Sequence, residues 1–217
     1  MNAPLIHALE SALNATCAHR LAVVLSVIAA TLAPAYAASA PSSGGSVDCA
    51  SPSGDVEGAI CTEAALAAQD RKLVDVYAAA SRSASAEQKN RLFAEQQSWL
   101  SERNRCSGAK DRTACLMDRY TRRIADLQAQ FKLVASRGPF RYECNKSTSD
   151  ILTAQYFETD PPTARFFHDG RTVTAYIARA GSGARYENAN ISYWEHQGEA
   201  SVVWYGRKMT CNASAAK

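Results

Sequence analysis

The hydrophobic pattern of this chain changes period at Gly138-Pro139, and that change limits what it can fold into. Before it, apolar residues recur every three or four positions. Leu116, Tyr120, Ile124, Leu127 and Phe131 form the longest series, the stripe of a helix with one buried face. Leu92, Gln96, Trp99 and Leu100 make a second stripe; Leu66, Leu73 and Tyr77, with Val74 and Val76 nearby, make a third. Ser85 followed three residues later by Gln88 reads as a capping box, and Thr62 and Thr113 stand where the other two helices need N-caps. Residues 49–59 read as a loop tied down by Cys49. After Gly138-Pro139, which reads as the end of the last helix, the period drops to two. Short alternating runs at 140–144, 151–158, 164–168, 172–178, 185–195, 199–205 and 208–211 are separated by turn residues such as Asp160-Pro161-Pro162, Asp169-Gly170 and Gln197-Gly198. Seven or eight short strands in about 75 residues imply an antiparallel barrel or a curled sheet. The expected class is α+β, a small disulfide-bonded helical bundle over 49–135 followed by a β-barrel over 140–217.

The first 37 residues read as a cleavable targeting segment: Arg20, an apolar run at 21–32, and Ala35-Tyr36-Ala37 as a small-x-small cleavage site. The apolar run is too short to remain as a membrane span. Cys17 precedes it, where an acylated cysteine cannot lie, so a periplasmic or secreted protein without a membrane anchor is expected. A flexible leader of Ala, Ser, Pro and Gly covers 38–48.

Six cysteines then remain: Cys49, Cys61, Cys106, Cys115, Cys144 and Cys211. An even set in an exported chain reads as disulfides, and none has the close Cys or His spacing of a metal site. No metal or cofactor is expected. Cys144 and Cys211 lie near the two ends of the barrel, so a bond between them would clamp first strand to last. An up-down-up bundle puts Cys61, Cys106 and Cys115 at one end, which is consistent with pairing Cys61 to Cys106 and Cys49 to Cys115. Loss of residues 1–37 removes Arg20 and Glu10 and leaves the net charge at +3, too balanced to argue for nucleic acid.

The stretch richest in information follows residue 180. Gly181 and Gly183 flank Ser182, which reads as a tight projecting loop, and Gln197-Gly198 reads as the turn of a nearby hairpin. Ser182-Gly183-Ala184-Arg185-Tyr186, followed by Tyr193-Trp194 and Gly198-Glu199-Ala200, resembles the membrane-bound and periplasmic inhibitors of c-type lysozyme over roughly residues 142–211. That resemblance implies a serine entering the lysozyme cleft to meet its two catalytic carboxyls, with a lysine of the second motif beside it. Here His196 stands in the lysine's place, and a histidine is a weaker, pH-dependent substitute for an ammonium. Upstream, Cys61, Asp70, Tyr77, Gln96-x-x-Trp99-Leu100-x-x-Arg103-x-x-Cys106, Cys115-Leu116, Tyr120 and Arg123-Ile124 resemble the helical domain of the mycobacterial lysozyme-inhibitor lipoproteins.

The two resemblances imply a protein that binds c-type lysozyme and blocks it without doing chemistry. Ser182, Gly183, Arg185, Tyr186 and His196 are the expected contacts. The side chains have plainer alternatives: Ser182 a turn serine, Arg185 a side chain lying along the barrel, Tyr186, like Tyr193 and Trp194, core or strand packing, His196 a hairpin residue. Ser182 with either His196 or His168, and Asp169, has the residue types of a hydrolase triad but lacks the strand-turn-helix setting of a nucleophile elbow. A non-inhibitory envelope adaptor on the same folds is the main alternative.

Overall fold

The computed structural model describes residues 47–214. The expected targeting segment, Cys17 and residues 38–46 of the leader lie outside the described residues. Four helices come first: α1 Gly54–Thr62, α2 Ala64–Ser83, α3 Ala86–Asn104 and α4 Arg112–Gln130, with a 3-10 turn at Arg105–Gly108 before α4. The α4 stripe is inside, with Leu116, Tyr120, Ile124 and Leu127 buried and Phe131 packed on the edge of the cluster. Leu66, Leu73 and Tyr77 of α2 and Leu92 and Trp99 of α3 complete it. The capping box forms: Gln88 N–H donates to Ser85 Oγ at 3.3 Å, and Ser85 N–H to Gln88 Oε1 at 2.8 Å.

Local signals misplaced three features. Residues 54–62 are not loop but α1, whose Val56 and Ile60 are buried. Thr62 ends α1, its hydroxyl bonded back to the Gly58 carbonyl at 2.9 Å. Thr113 lies within α4, and its hydroxyl goes to Glu63 Oε1 at 2.7 Å; the cap is Asp111, which accepts from Ala114 N–H at 2.9 Å. The cysteines follow from this. α1 folds the chain back so that Cys49 meets Cys61, and the 3-10 turn brings Cys106 onto Cys115, with Cα separations of 5.5 and 5.7 Å. The expected pairs Cys61–Cys106 and Cys49–Cys115 do not form; each bond instead staples a short segment.

The polar residues of the helical motif are structural. Tyr120 Oη donates to buried Asp70 Oδ1 at 2.8 Å, and Arg103 Nη1 donates to Tyr120 Oη at 3.4 Å. Arg103 also lies over the Trp99 ring, 5.8 Å from its centroid, and Arg123 Nε donates to Gln96 Oε1 at 3.0 Å. Buried charges of this kind persist only when bonded, so the motif fixes how the helices meet.

The second half is a closed barrel of eight antiparallel strands in sequence order, β8 returning to β1. The strands are β1 Ser136–Cys144, β2 Ile151–Phe157, β3 Thr163–His168, β4 Arg171–Ala178, β5 Ala184–Glu187, β6 Ile191–His196, β7 Glu199–Trp204 and β8 Arg207–Ala213. α4 has already ended at Gln130, so Gly138-Pro139 does not terminate it; the pair lies inside β1 at a register shift. The run 185–195 breaks because Asn188 Oδ1 accepts from the N–H groups of Asn190 and Ile191, at 2.7 and 2.9 Å, turning the chain. Cys144 faces Cys211 across the β1–β8 seam and is bonded to it as expected. Tyr142, Leu152, Phe166, Tyr193, Val202, Trp204 and Met209 fill the interior. Trp194, one residue out of phase with Tyr193, faces outward and is 43% exposed.

Part of the polar face of α4 packs on the barrel rather than on solvent. Tyr176 Oη donates to Asp126 Oδ1 at 2.7 Å, Arg122 lies 4.6 Å from the Tyr176 ring centroid, and Arg165 Nη1 donates to the Gln130 carbonyl at 3.3 Å. Burial pushes Asp126 up to about 6, outweighing the Tyr176 hydroxyl and the Arg122 and Arg123 guanidinium groups. A carboxyl raised in this way is fully stabilising below its unfolded value, near 4, and loses that contribution as pH rises to about 6. Asp126→Asn keeps an acceptor for Tyr176 but does not ionise. Its stability relative to wild type should therefore rise by about 1–3 kcal/mol between pH 4 and pH 6.5 and stay constant above. Urea unfolding across that range checks this, and a pH-independent difference contradicts it.

Candidate functional site

In an up-and-down barrel alternate loops share an end. Here the β2–β3 loop at 158–162, the β4–β5 loop at 179–183 and the β6–β7 turn at 197–198 lie together. Ser182 and His196 therefore come to the same end of the molecule.

The Ser182 loop is held from two sides. Trp194 Nε1 donates to the Ser182 carbonyl at 2.9 Å, so the outward indole holds the loop backbone. Gly183, at φ +70°, lies so close to β6 that a Cβ there would be 2.0 Å from the Glu195 carbonyl oxygen. Only glycine allows both the backbone angle and that approach. Ser182 itself is exposed, and its hydroxyl forms no hydrogen bond among the described residues. The turn beside it has positive φ at both Gln197 and Gly198, the geometry of a two-residue hairpin, and Glu195 Oε1 accepts from Gly198 N–H at 2.9 Å. His196 is exposed and pairs in register with Glu199.

The other expected residues are placed differently. Arg185 lies along the barrel, donating from Nε to Glu187 Oε1 at 2.8 Å and to the same oxygen through Nη2; Ser192 Oγ donates there too, at 3.1 Å. Tyr186 is buried in the barrel, its ring centroid 5.4 Å from that of Tyr156 and 6.3 Å from that of Phe166. It packs beneath the loop from within the barrel. Sequence reasoning missed the bond from Trp194 to Ser182, although the outward phase of Trp194 relative to Tyr193 was a usable signal.

Ser182 and His168 stand at opposite ends of the barrel. His168 precedes the β3–β4 turn, with Nε2 2.7 Å from Asp150 Oδ1 and its ring against Trp204. Asp150 also accepts from Arg207 Nη2 at 2.6 Å and Asn145 Nδ2 at 2.9 Å. The His168 hydrogen bond, with Asn145 and Arg207 behind it, holds the Asp150 carboxyl below the usual range. This cluster ties the β1–β2 loop to β3 and β8, and the Ser182–His168–Asp169 grouping is not assembled. Among the described residues no group of three or more His, Cys, Asp or Glu is placed to hold a metal, and no helix is long and apolar enough to cross a membrane.

Residues 48–127 match the family described as lysozyme inhibitor LprI, and residues 142–210 match the membrane-bound lysozyme-inhibitor of c-type lysozyme family. The chain is 32% identical over 195 residues to lipoprotein LprI of Mycobacterium bovis and of Mycobacterium tuberculosis, covering 89% of this chain and 95% of those proteins. It therefore belongs to the LprI family of lysozyme inhibitors. Among solved structures, Pseudomonas aeruginosa MliC in complex with hen egg white lysozyme is similar at 21% identity and a TM-score of 0.30, covering 37% of this chain and 84% of that one.

Proposed function

We propose that this protein acts outside the cytoplasm as an inhibitor of c-type lysozyme, setting the Ser182 loop into the enzyme's catalytic cleft. The observation that carries this is an exposed hydroxyl without a partner, on a loop fixed from both sides by Trp194 and Gly183. The cleft of a c-type lysozyme holds one carboxyl kept protonated by burial and one that is ionised. A hydroxyl can accept from the first while donating to the second. A loop already ordered in the free protein loses little entropy on entering, which favours tight binding. Three disulfides fit an oxidising compartment.

His196 is the second contact, and Arg185, held by Glu187, serves chiefly to stiffen β5. Titration of the protein into a c-type lysozyme acting on a peptidoglycan suspension tests the reading, with inhibition expected at stoichiometric amounts. No inhibition at micromolar excess would favour a non-inhibitory envelope adaptor built on the same folds. His196→Lys places a permanent cation beside the ionised carboxylate and is expected to lower the inhibition constant several-fold at pH 7. An unchanged constant would remove the β6–β7 turn from the mechanism.

A further inference from the structure

The end of the barrel that carries Ser182 also opens into a cup of about 550 Å³. Its walls are aromatic: Phe140, Tyr142, Tyr156 and Tyr186, with Ala184 of the Ser182 strand on one side. Its rim carries two carboxylates, Glu158 of the β2–β3 loop and Glu195 of β6, and one cation, Arg137. Neither carboxylate forms an ion pair among the described residues. At the base, Tyr156 Oη donates to Tyr193 Oη at 3.0 Å, which leaves oxygen lone pairs of the tyrosine cluster to accept from a ligand. Burial pushes the Tyr156, Tyr186 and Tyr193 hydroxyls up, so the rings stay neutral acceptors.

From this arrangement we infer that the cup is a binding site for a guanidinium group, the arginine side chain of a protein partner. Ring faces attract a cation through their quadrupoles, and the carboxylates and hydroxyl oxygens accept its N–H groups. A neutral apolar ligand would leave the rim carboxylates desolvated and unpaired. The chain as a whole carries +3, so attraction for a basic partner has to be local. It is found here, where Asp160 of the β2–β3 loop and Glu199 at the start of β7 join the two rim carboxylates and together outnumber Arg137 and Arg179 of the β4–β5 loop. That the partner is a lysozyme rests on the function proposed above; the guanidinium site does not.

The test has two arms. In the first, the intact protein is titrated with N-acetyl-arginine amide and, separately, with the citrulline analogue, which has the same shape and no charge, while backbone amide resonances are followed. Shifts confined to Phe157, Ala184, Tyr186 and their neighbours are expected, with citrulline binding at least tenfold more weakly. The double variant E158Q/E195Q should weaken arginine binding to the citrulline level, and Y156F should weaken it partly. Equal binding of the two probes, or shifts elsewhere, overturns the site. In the second arm E158Q/E195Q is compared with wild type for lysozyme binding, with a loss of tenfold or more expected. Arginine binding with unchanged lysozyme affinity overturns lysozyme as the source of the side chain. Arginine binding by a protein that does not bind lysozyme at all leaves the guanidinium site standing and removes the inhibitor assignment.

Discussion

Gly183→Ala is expected to abolish inhibition, raising the inhibition constant at least a hundredfold while the chain still folds. The new methyl would be placed 2.0 Å from the Glu195 carbonyl oxygen, which is backbone and cannot turn aside. The φ of +70° costs an alanine about 1–2 kcal/mol before any contact is counted. β5 must therefore peel from β6 at the point where Trp194 holds Ser182, and the hydroxyl loses its fixed position. Stability should fall by about 2 kcal/mol in urea unfolding, since most of the barrel is remote from the clash. Gly181, where a Cβ meets nothing within 4 Å and φ is not positive, serves as the control, and Gly181→Ala should change both quantities little. Equal effects at the two positions would contradict the proposed fixing of the loop.

Removal of the barrel clamp, Cys144→Ala with Cys211→Ala, should lower the unfolding free energy by about 4 kcal/mol. The bond closes a span of 67 residues, so its loss frees most of the barrel in the unfolded chain. It also lies on a short-paired seam that closes the cylinder: β1 and β8 share three register pairs, as do β4 and β5, whereas β7 and β8 share six. By contrast Cys49–Cys61 and Cys106–Cys115 span 12 and 9 residues, and losing either should cost the chain less. Chemical denaturation of each double variant measures the ranking; an equal cost for all three would contradict it.

How much of this was legible in the sequence depended on whether a signal was local. The α4 stripe, the Ser85–Gln88 box, the succession of turns and the Cys144–Cys211 clamp could all be read, because periodicity, capping and strand order determine them. α1 could not. It contains Gly54 and Gly58 and has no side-chain cap, so packing of Val56 and Ile60 rather than propensity stabilises it. Missing α1 carried the cysteine pairing with it. Asp111 and Thr113 are both good cap residues, and the choice was made by Glu63, which takes the Thr113 hydroxyl from the junction of α1 and α2. Asp126 lies off the apolar stripe of α4, and no local signal showed that Tyr176 of the barrel would pack against it. At the site, the glycines flanking Ser182 marked the loop, while its anchoring by Trp194, a contact across 12 residues, emerged only from the fold.

A single hydroxyl is the most direct point at which to probe the account. The inhibition constant of Ser182→Ala against a c-type lysozyme, measured beside its thermal unfolding, should rise at least tenfold with the melting temperature unchanged. Two hydrogen bonds to the lysozyme carboxyls, one of them charge-assisted, are lost and no internal contact of the hydroxyl is. An inhibition constant equal to that of wild type would mean that the loop does not enter the cleft.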